Sequence, residues 1–117
     1  AHNVHAMNRL LENLGKEFPD KKITIIFSAI TTKDIRQMIK MLQTVKNSRL
    51  ILTTFDYHKA LDLKDFRYLE DEGVELAPSW ELAIVRAQKA LDEDELLLIT
   101  GSLYFSSQVR EFLKKEK

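Results

Sequence analysis

Short, almost wholly apolar runs rich in β-branched residues alternate along this chain with longer segments whose apolar residues recur every three or four positions. The first run, Ile23-Thr24-Ile25-Ile26-Phe27, leaves no polar face. A strand of that composition needs cover on both sides, which is the condition of a parallel sheet held between helices. Leu50-Ile51-Leu52-Thr53 and Leu96-Leu97-Leu98-Ile99-Thr100 read the same way, with Val74-Glu75-Leu76 as a shorter strand. The intervening segments carry the helical period. Met7, Leu10, Leu11, Leu14 and Phe18 predict a helix over residues 5–18, halted by Pro19-Asp20. Ile35, Met38, Ile39, Leu42 and Val45 predict a second, with Thr32 as its N-cap. Leu63, Phe66 and Leu69 mark a shorter helix ended by Gly73. Ser79 caps a helix bearing Ala83, Ile84, Ala87, Ala90 and Leu91, and Gly101-Ser102 leads into a last one bearing Phe105, Val109, Phe112 and Leu113.

Strands separated by helices of these lengths build right-handed βαβ units. The expected fold is α/β: a three-layer, Rossmann-like domain with a mainly parallel sheet of about four to six strands and helices on both faces. The length suits one domain, residues 1–117. The order opens on a helix with no strand to feed it, and on Ala1 rather than methionine, so the chain is expected to be a piece of a longer one.

Composition narrows the function. Lys and Arg number 18 and Asp and Glu 18, so the chain as a whole lacks the basic footprint of nucleic-acid or membrane-surface binding. With no cysteine there is no disulfide framework, thiol nucleophile or cysteine metal cage. The longest apolar runs fall far short of the ~20 residues that span a bilayer. The start has neither the basic nor the apolar region of a signal peptide.

Open α/β sheets bind ligands at the carboxyl ends of their strands. Ser102 follows a glycine that permits close backbone approach, at a helix start whose N–H groups favour an anion; it reads equally as a plain N-cap. Lys33, after Thr31-Thr32, is a compact cation at another strand-to-helix junction, or a solvated lysine. His2, His5 and His58 are the only imidazoles. His2 and His5 lie three apart, but no third ligand is evident, so no metal site is expected. The chain has no nucleophile elbow, no phosphate-binding P-loop and no Gly-x-Gly-x-x-Gly turn. Any nucleotide phosphates would have to be held mainly by another domain. Phe55, Tyr57, Lys59 and Trp80 form no basic-aromatic stripe for single-stranded nucleic acid.

Three segments in series resemble one family. Ala1-His2-Asn3-Val4-His5-Ala6 is similar to the second half of the Asp-Gly-Ala-His-Asn-Pro-His motif that opens the C-terminal domain of folylpolyglutamate and dihydrofolate synthases, with Val4 where proline is usual. Phe27 to Ile35, with its Lys33-Asp34 pair, resembles their strand-loop-helix segment. Thr100-Gly101-Ser102-Leu103-Tyr104 resembles their C-terminal Thr-Gly-Ser-Leu-Tyr motif. The wider Mur ligase superfamily shares the C-terminal fold.

The resemblance implies part of a cytoplasmic, ATP-dependent amide ligase. Such an enzyme transfers the γ-phosphoryl of ATP to a folate carboxylate, and the amino group of glutamate attacks the resulting acyl phosphate. It implies that His2, Lys33 and Ser102 bind the incoming glutamate and that Asn3 lies on the nucleotide side. ATP and Mg2+ are then held mainly by an N-terminal P-loop domain of the same protein, and this piece alone is expected to be inactive. The expected partners are that domain, glutamate and folate, with no nucleic acid and no membrane. The competing reading is a doubly wound interaction or regulatory module without chemistry. A receiver-like version would need clustered acids at strand ends; Asp56 lies near one, but a paired acidic cluster at the first strand is missing.

Overall fold

Side chains of a β-strand point alternately to opposite faces, so an uninterrupted apolar strand feeds two cores at once. The computed structural model, which describes residues 3–115, is built on that alternation. Its elements are α1 (Val4–Glu17), β1 (Lys22–Ser28), α2 (Ile35–Gln43), β2 (Ser48–Thr53), a 3-10 helix (Leu63–Glu72), β3 (Glu75–Ala77), α3 (Trp80–Ala90), β4 (Glu95–Gly101) and α4 (Leu103–Lys115). The four strands pair in parallel in the order β3-β2-β1-β4. Ile23, Ile25 and Phe27 of β1 and Leu50 and Leu52 of β2 join Met7, Met38, Leu42, Phe66 and Leu69 in one core. Ile26 and Ile51 face the other way and pack with Trp80, Ile84, Phe105 and Val109. Helices therefore cover both faces, as the strand composition requires: α1, α2 and the 3-10 helix on one, α3 and α4 on the other. This is the expected three-layer α/β arrangement, with four strands. No helix among the described residues is long and apolar enough to cross a membrane.

Three local expectations are corrected. Thr32 does not cap α2, which starts at Ile35 after Asp34, a residue in helical conformation with no side-chain cap bond. The start is delayed because residues 29–31 are drawn into pairing with the loop after β2. The Thr31 N–H donates to the Lys59 carbonyl at 2.8 Å, Leu61 N–H to Ala29 carbonyl at 2.9 Å, and Ile30 bridges Ala60 antiparallel. The helix carrying Leu63, Phe66 and Leu69 is a 3-10 helix, in which positions three apart eclipse. It is capped by Asp62, whose side chain accepts from Lys64 N–H, and ends on left-handed Gly73 at φ 85°. β3 begins one residue later than expected, at Glu75.

β3 is a three-residue edge strand, fastened to β2 by two side-chain contacts besides its ladder. The Arg49 guanidinium donates to both Glu75 carboxylate oxygens at 2.9 and 3.0 Å, and the Thr53 hydroxyl donates to the Ala77 carbonyl at 2.6 Å.

The chain steps from β1 to β2 to β3 in one direction, then returns through α3 to place β4 on the far side of β1. β1 exits toward α2 on one face and β4 exits toward α4 on the other. Neighbouring strands whose connections diverge in this way open a crevice at their carboxyl ends. β4 pairs with β1 along its whole length, ending at Ser28 opposite Gly101. Gly101 sits at φ 145°, and a Cβ there would fall inside the van der Waals shell of the Ser28 carbonyl oxygen. Gly15, near the end of α1, has nothing within 4 Å of an added Cβ.

These two glycines should respond oppositely to alanine. In urea denaturation Gly101→Ala is expected to lose about 3 kcal/mol or more, through strain and displacement of β1. Gly15→Ala is expected to gain about 0.5–1 kcal/mol by removing backbone freedom within a helix.

Candidate functional site

The crevice between β1 and β4 gathers the polar junctions of the fold. Ser102 N–H donates to the Ser28 carbonyl at 3.2 Å, carrying the strand pairing one residue past β4. The next residues turn into α4. Ser102 is buried and caps that helix: its Oγ accepts from Phe105 N–H at a long 3.4 Å, and its carbonyl accepts from Ser106 N–H at 3.0 Å. The cap bond is weak by distance, so the hydroxyl keeps capacity for another partner. Across the crevice Thr32 and Lys33 lie in the turn leading to α2. Thr32 and Ser102 line one cavity of about 130 Å³, together with Ala29, Ile30, Met38, Leu103 and Tyr104. Lys33 is exposed beside Thr32 and makes no ion pair among the described residues. Beneath, the Ser28 hydroxyl is fully buried and has no hydrogen-bond partner among the described residues.

Asn3 reaches the same edge by a different route. Phe18 and Lys21, just beyond the end of α1, share a cavity with Asp94 at the start of β4. α1 therefore runs antiparallel to the sheet, and its N-terminus lies at the carboxyl edge of the strands. There Asn3 caps the helix, its Oδ1 accepting from Ala6 N–H at 2.8 Å. That use of Oδ1 leaves the amide N–H groups as donors. His2 lies outside the described residues. His5 and His58 are exposed. No three His, Asp or Glu side chains among the described residues converge as metal ligands do.

Larger grooves lie elsewhere, two of them about 450 Å³ each. One follows β3 and α3 between Arg49 and Arg86; the other lies under Phe18 and Val45. Neither is at the switch point, and Arg49 in the first is already committed to Glu75. The smaller cavity is the better candidate because it lies at the switch point, between the turn before α2 and the start of α4.

The loop after β2 carries a ring stack next to the cavity-lining Tyr104 that reading along the chain missed. Its backbone is tied to residues 29–31, and the Gln108 side chain on α4 donates to the Asp56 carbonyl at 2.9 Å. So held, Tyr57 stacks on Tyr104 with ring centroids 4.5 Å apart and planes 13° apart. Phe55 lies 6.3 Å from Tyr57 with its ring only 4° from parallel, and touches Phe105 in the core at 5.4 Å. The available signal was positional. Tyr57 follows β2 and Tyr104 opens α4, and both are carboxyl-end positions. A hydrogen bond with the Tyr104 hydroxyl, then burial, then the neighbouring phenol's charge raise the Tyr57 pKa above the ordinary tyrosine value.

Comparison with known proteins places the chain in a family. The family described as "Mur ligase, glutamate ligase domain" matches residues 1–103. A protein of Bacillus subtilis (strain 168) named dihydrofolate synthase/folylpolyglutamate synthase is 32% identical over 117 residues, covering 97% of this chain. The chain spans only 26% of that relative's length. No solved structure gives a significant match.

The tyrosine pair makes a pH prediction. The neutral Tyr57 is the form favoured by folding. Its contribution is therefore complete below the unfolded-state value of ~10 and is lost as pH rises through the higher folded-state value. Phenolate absorbance is expected to show one late-titrating tyrosine, and Tyr104→Phe should return Tyr57 toward the ordinary range by removing its partner.

Proposed function

Since this chain belongs to the Mur ligase family through its glutamate ligase domain, we propose that it is the C-terminal, glutamate-binding domain of a cytoplasmic folylpolyglutamate synthase, with or without dihydrofolate synthase activity. The observation that carries the reading is the meeting of the Lys33 turn and Ser102 at one switch-point cavity. The similarity to the Bacillus subtilis synthase supports the choice of acceptor.

In this reading the γ-phosphoryl of ATP passes to an oxygen of a folate carboxylate, and ADP leaves. The glutamate amine then attacks the acyl carbon, phosphate departs, and an amide remains. The domain's task is to bring glutamate to that carbon with its two carboxylates neutralised and its amine free. Lys33 is a cation without an ion-pair partner among the described residues, suited to one carboxylate. The Ser102 hydroxyl and the first N–H groups of α4 suit the other. His2 is assigned a hydrogen bond near the attacked centre. The amide donors of Asn3 face the nucleotide side, since its Oδ1 is engaged in capping. Holding the nucleophile at contact distance supplies catalysis by removing translational freedom, a term worth several kcal/mol.

Magnesium does not fit the described residues, which bring no three carboxylate or imidazole ligands together. We assign it, with the ATP triphosphate, to an N-terminal P-loop domain. Closure of that domain against the carboxyl edge of the sheet completes the pocket and excludes water. The present chain alone is expected to be inactive.

The test is steady-state kinetics of the full-length ligase that contains this domain. Lys33→Met and Ser102→Ala are each expected to raise KM for glutamate about 10-fold or more, the loss of one charge-assisted hydrogen bond. KM for ATP and for the folate acceptor should stay within about 2-fold. Changes confined to ATP would refute the assignment.

A further inference from the structure

The sheet's hydrogen bonds alone do not fix the two sides of the candidate site. β1 ends at Ser28 and α2 does not begin until Ile35, so residues 29–34, Lys33 among them, run past the strands before any helix starts. Ser102 likewise lies one residue past β4, at the start of α4. The loop between β2 and the 3-10 helix joins these two sides. Three successive residues of it hold α4. Phe55 packs on Phe105 with ring centroids 5.4 Å apart, the Asp56 carbonyl accepts from the Gln108 side chain at 2.9 Å, and Tyr57 stacks on Tyr104 at 4.5 Å. Its returning limb, Lys59 to Leu61, is bonded to residues 29–31. Ala29, Ile30 and Thr32 line the cavity from one side and Ser102, Leu103 and Tyr104 from the other, while no residue of the loop lines it.

We propose that this loop is a brace that sets the separation between the Lys33 turn and the start of α4, and that Tyr57, acting through Tyr104, is a positioning residue that fixes the length of diacid the site accepts. The proposal deepens the glutamate reading above and rests on it. Three observations argue for it. The bond from Thr31 N–H to the Lys59 carbonyl, at 2.8 Å, ties the loop to the chain two residues before Lys33. On the other side Tyr57 meets Tyr104 with both its ring and its hydroxyl, at a residue that is otherwise half-exposed. The loop is itself anchored: Phe55 is buried, and the Thr54 hydroxyl closes the loop's base by donating to the Leu61 carbonyl at 2.7 Å.

The consequence is one of length. Glutamate and aspartate carry the same charges and differ by one methylene. A site that meets one carboxylate from each side separates the two by how far apart its sides stand. A brace set before the substrate arrives holds that distance without an ordering cost on binding. Once the brace is loosened the sides can shift, so glutamate binds less well and aspartate is rejected less strongly.

The experiment uses the full-length ligase that contains this domain, as wild type, Tyr57→Ala, Tyr57→Phe and Gln108→Ala. Arg49→Met, which breaks the fork to Glu75 at the opposite end of β2, is the structural control. Tyr57→Ala is expected to raise KM for glutamate about 10-fold, and to lower the preference for glutamate over aspartate in kcat/KM by about 10-fold. Gln108→Ala removes a single hydrogen bond of the brace and should move both values the same way by about 3-fold. KM for ATP and for tetrahydrofolate should stay within about 2-fold throughout. Tyr57→Phe keeps the ring stack and Arg49→Met leaves the loop untouched, so both should match wild type within about 2-fold. Thermal midpoints report folding, and Gln108→Ala carries the test if Tyr57→Ala does not fold. Hydrogen exchange on the same proteins reads the brace without substrate: residues 29–34 and 102–106 should exchange faster in Tyr57→Ala and Gln108→Ala than in wild type. Unchanged exchange there, an unchanged preference, equal losses for glutamate, ATP and folate, or an Arg49→Met that behaves as Tyr57→Ala overturns the positioning role and leaves the ligase reading standing. A wild type that adds glutamate to neither dihydropteroate nor tetrahydrofolate overturns the ligase reading, and the positioning role with it.

Discussion

Everything at the working edge of this domain depends on how closely β4 lies against β1. The pairing runs without a break from Lys22 and Glu95 to Ser28 and Gly101, and Ser102 N–H adds one more bond to the Ser28 carbonyl. That last approach is possible only because Gly101 carries no side chain. A bulkier residue would push the two carboxyl ends apart. The start of α4 would then no longer face the turn before α2, and the cavity between them would lose its shape.

The crevice also illustrates how a parallel sheet turns topology into chemistry. α2 and α4 leave on opposite faces, so their N-terminal ends flank the gap instead of blocking it. The loop after β2 packs beside them, held by backbone bonds to residues 29–31 and by Gln108. Two connections that are distant in sequence thus share one small volume, fixed by contacts that do not involve a ligand. Such preorganisation lets side chains meet a substrate without first being ordered.

The layers were legible in the sequence because the strand runs have no polar face to spare. Ile23 to Phe27 and Leu50 to Thr53 could only be buried from both sides, and the helical stripes between them had to supply the cover. The cap at Ser79 was readable for a similar reason: its bond to Leu82 N–H is local. Thr32 misled because the competing force is not local; the pairing of residues 29–31 with 59–61 decides where α2 begins. The 3-10 helix was ambiguous because a spacing of three between Leu63, Phe66 and Leu69 satisfies both helical types over so short a span. At the candidate site, Lys33 and Ser102 were singled out from strand ends and motif resemblance. The Tyr57–Tyr104 stack was not, since nothing in either residue's neighbourhood announces the other.

The slender edge strand has a consequence for dynamics. β3 has three ladder pairs, and its Arg49–Glu75 fork is half solvent-exposed while the Thr53–Ala77 bond involves a fully buried threonine. Dissolved ions weaken the fork and scarcely touch the buried bond. Raising ionic strength therefore frees the sheet margin from its Glu75 end first, and amide hydrogens there exchange sooner than those beside Ala77. The loop bearing the tyrosine stack springs from β2 on the Ala77 side, so fraying begins at the end of the strand farthest from it.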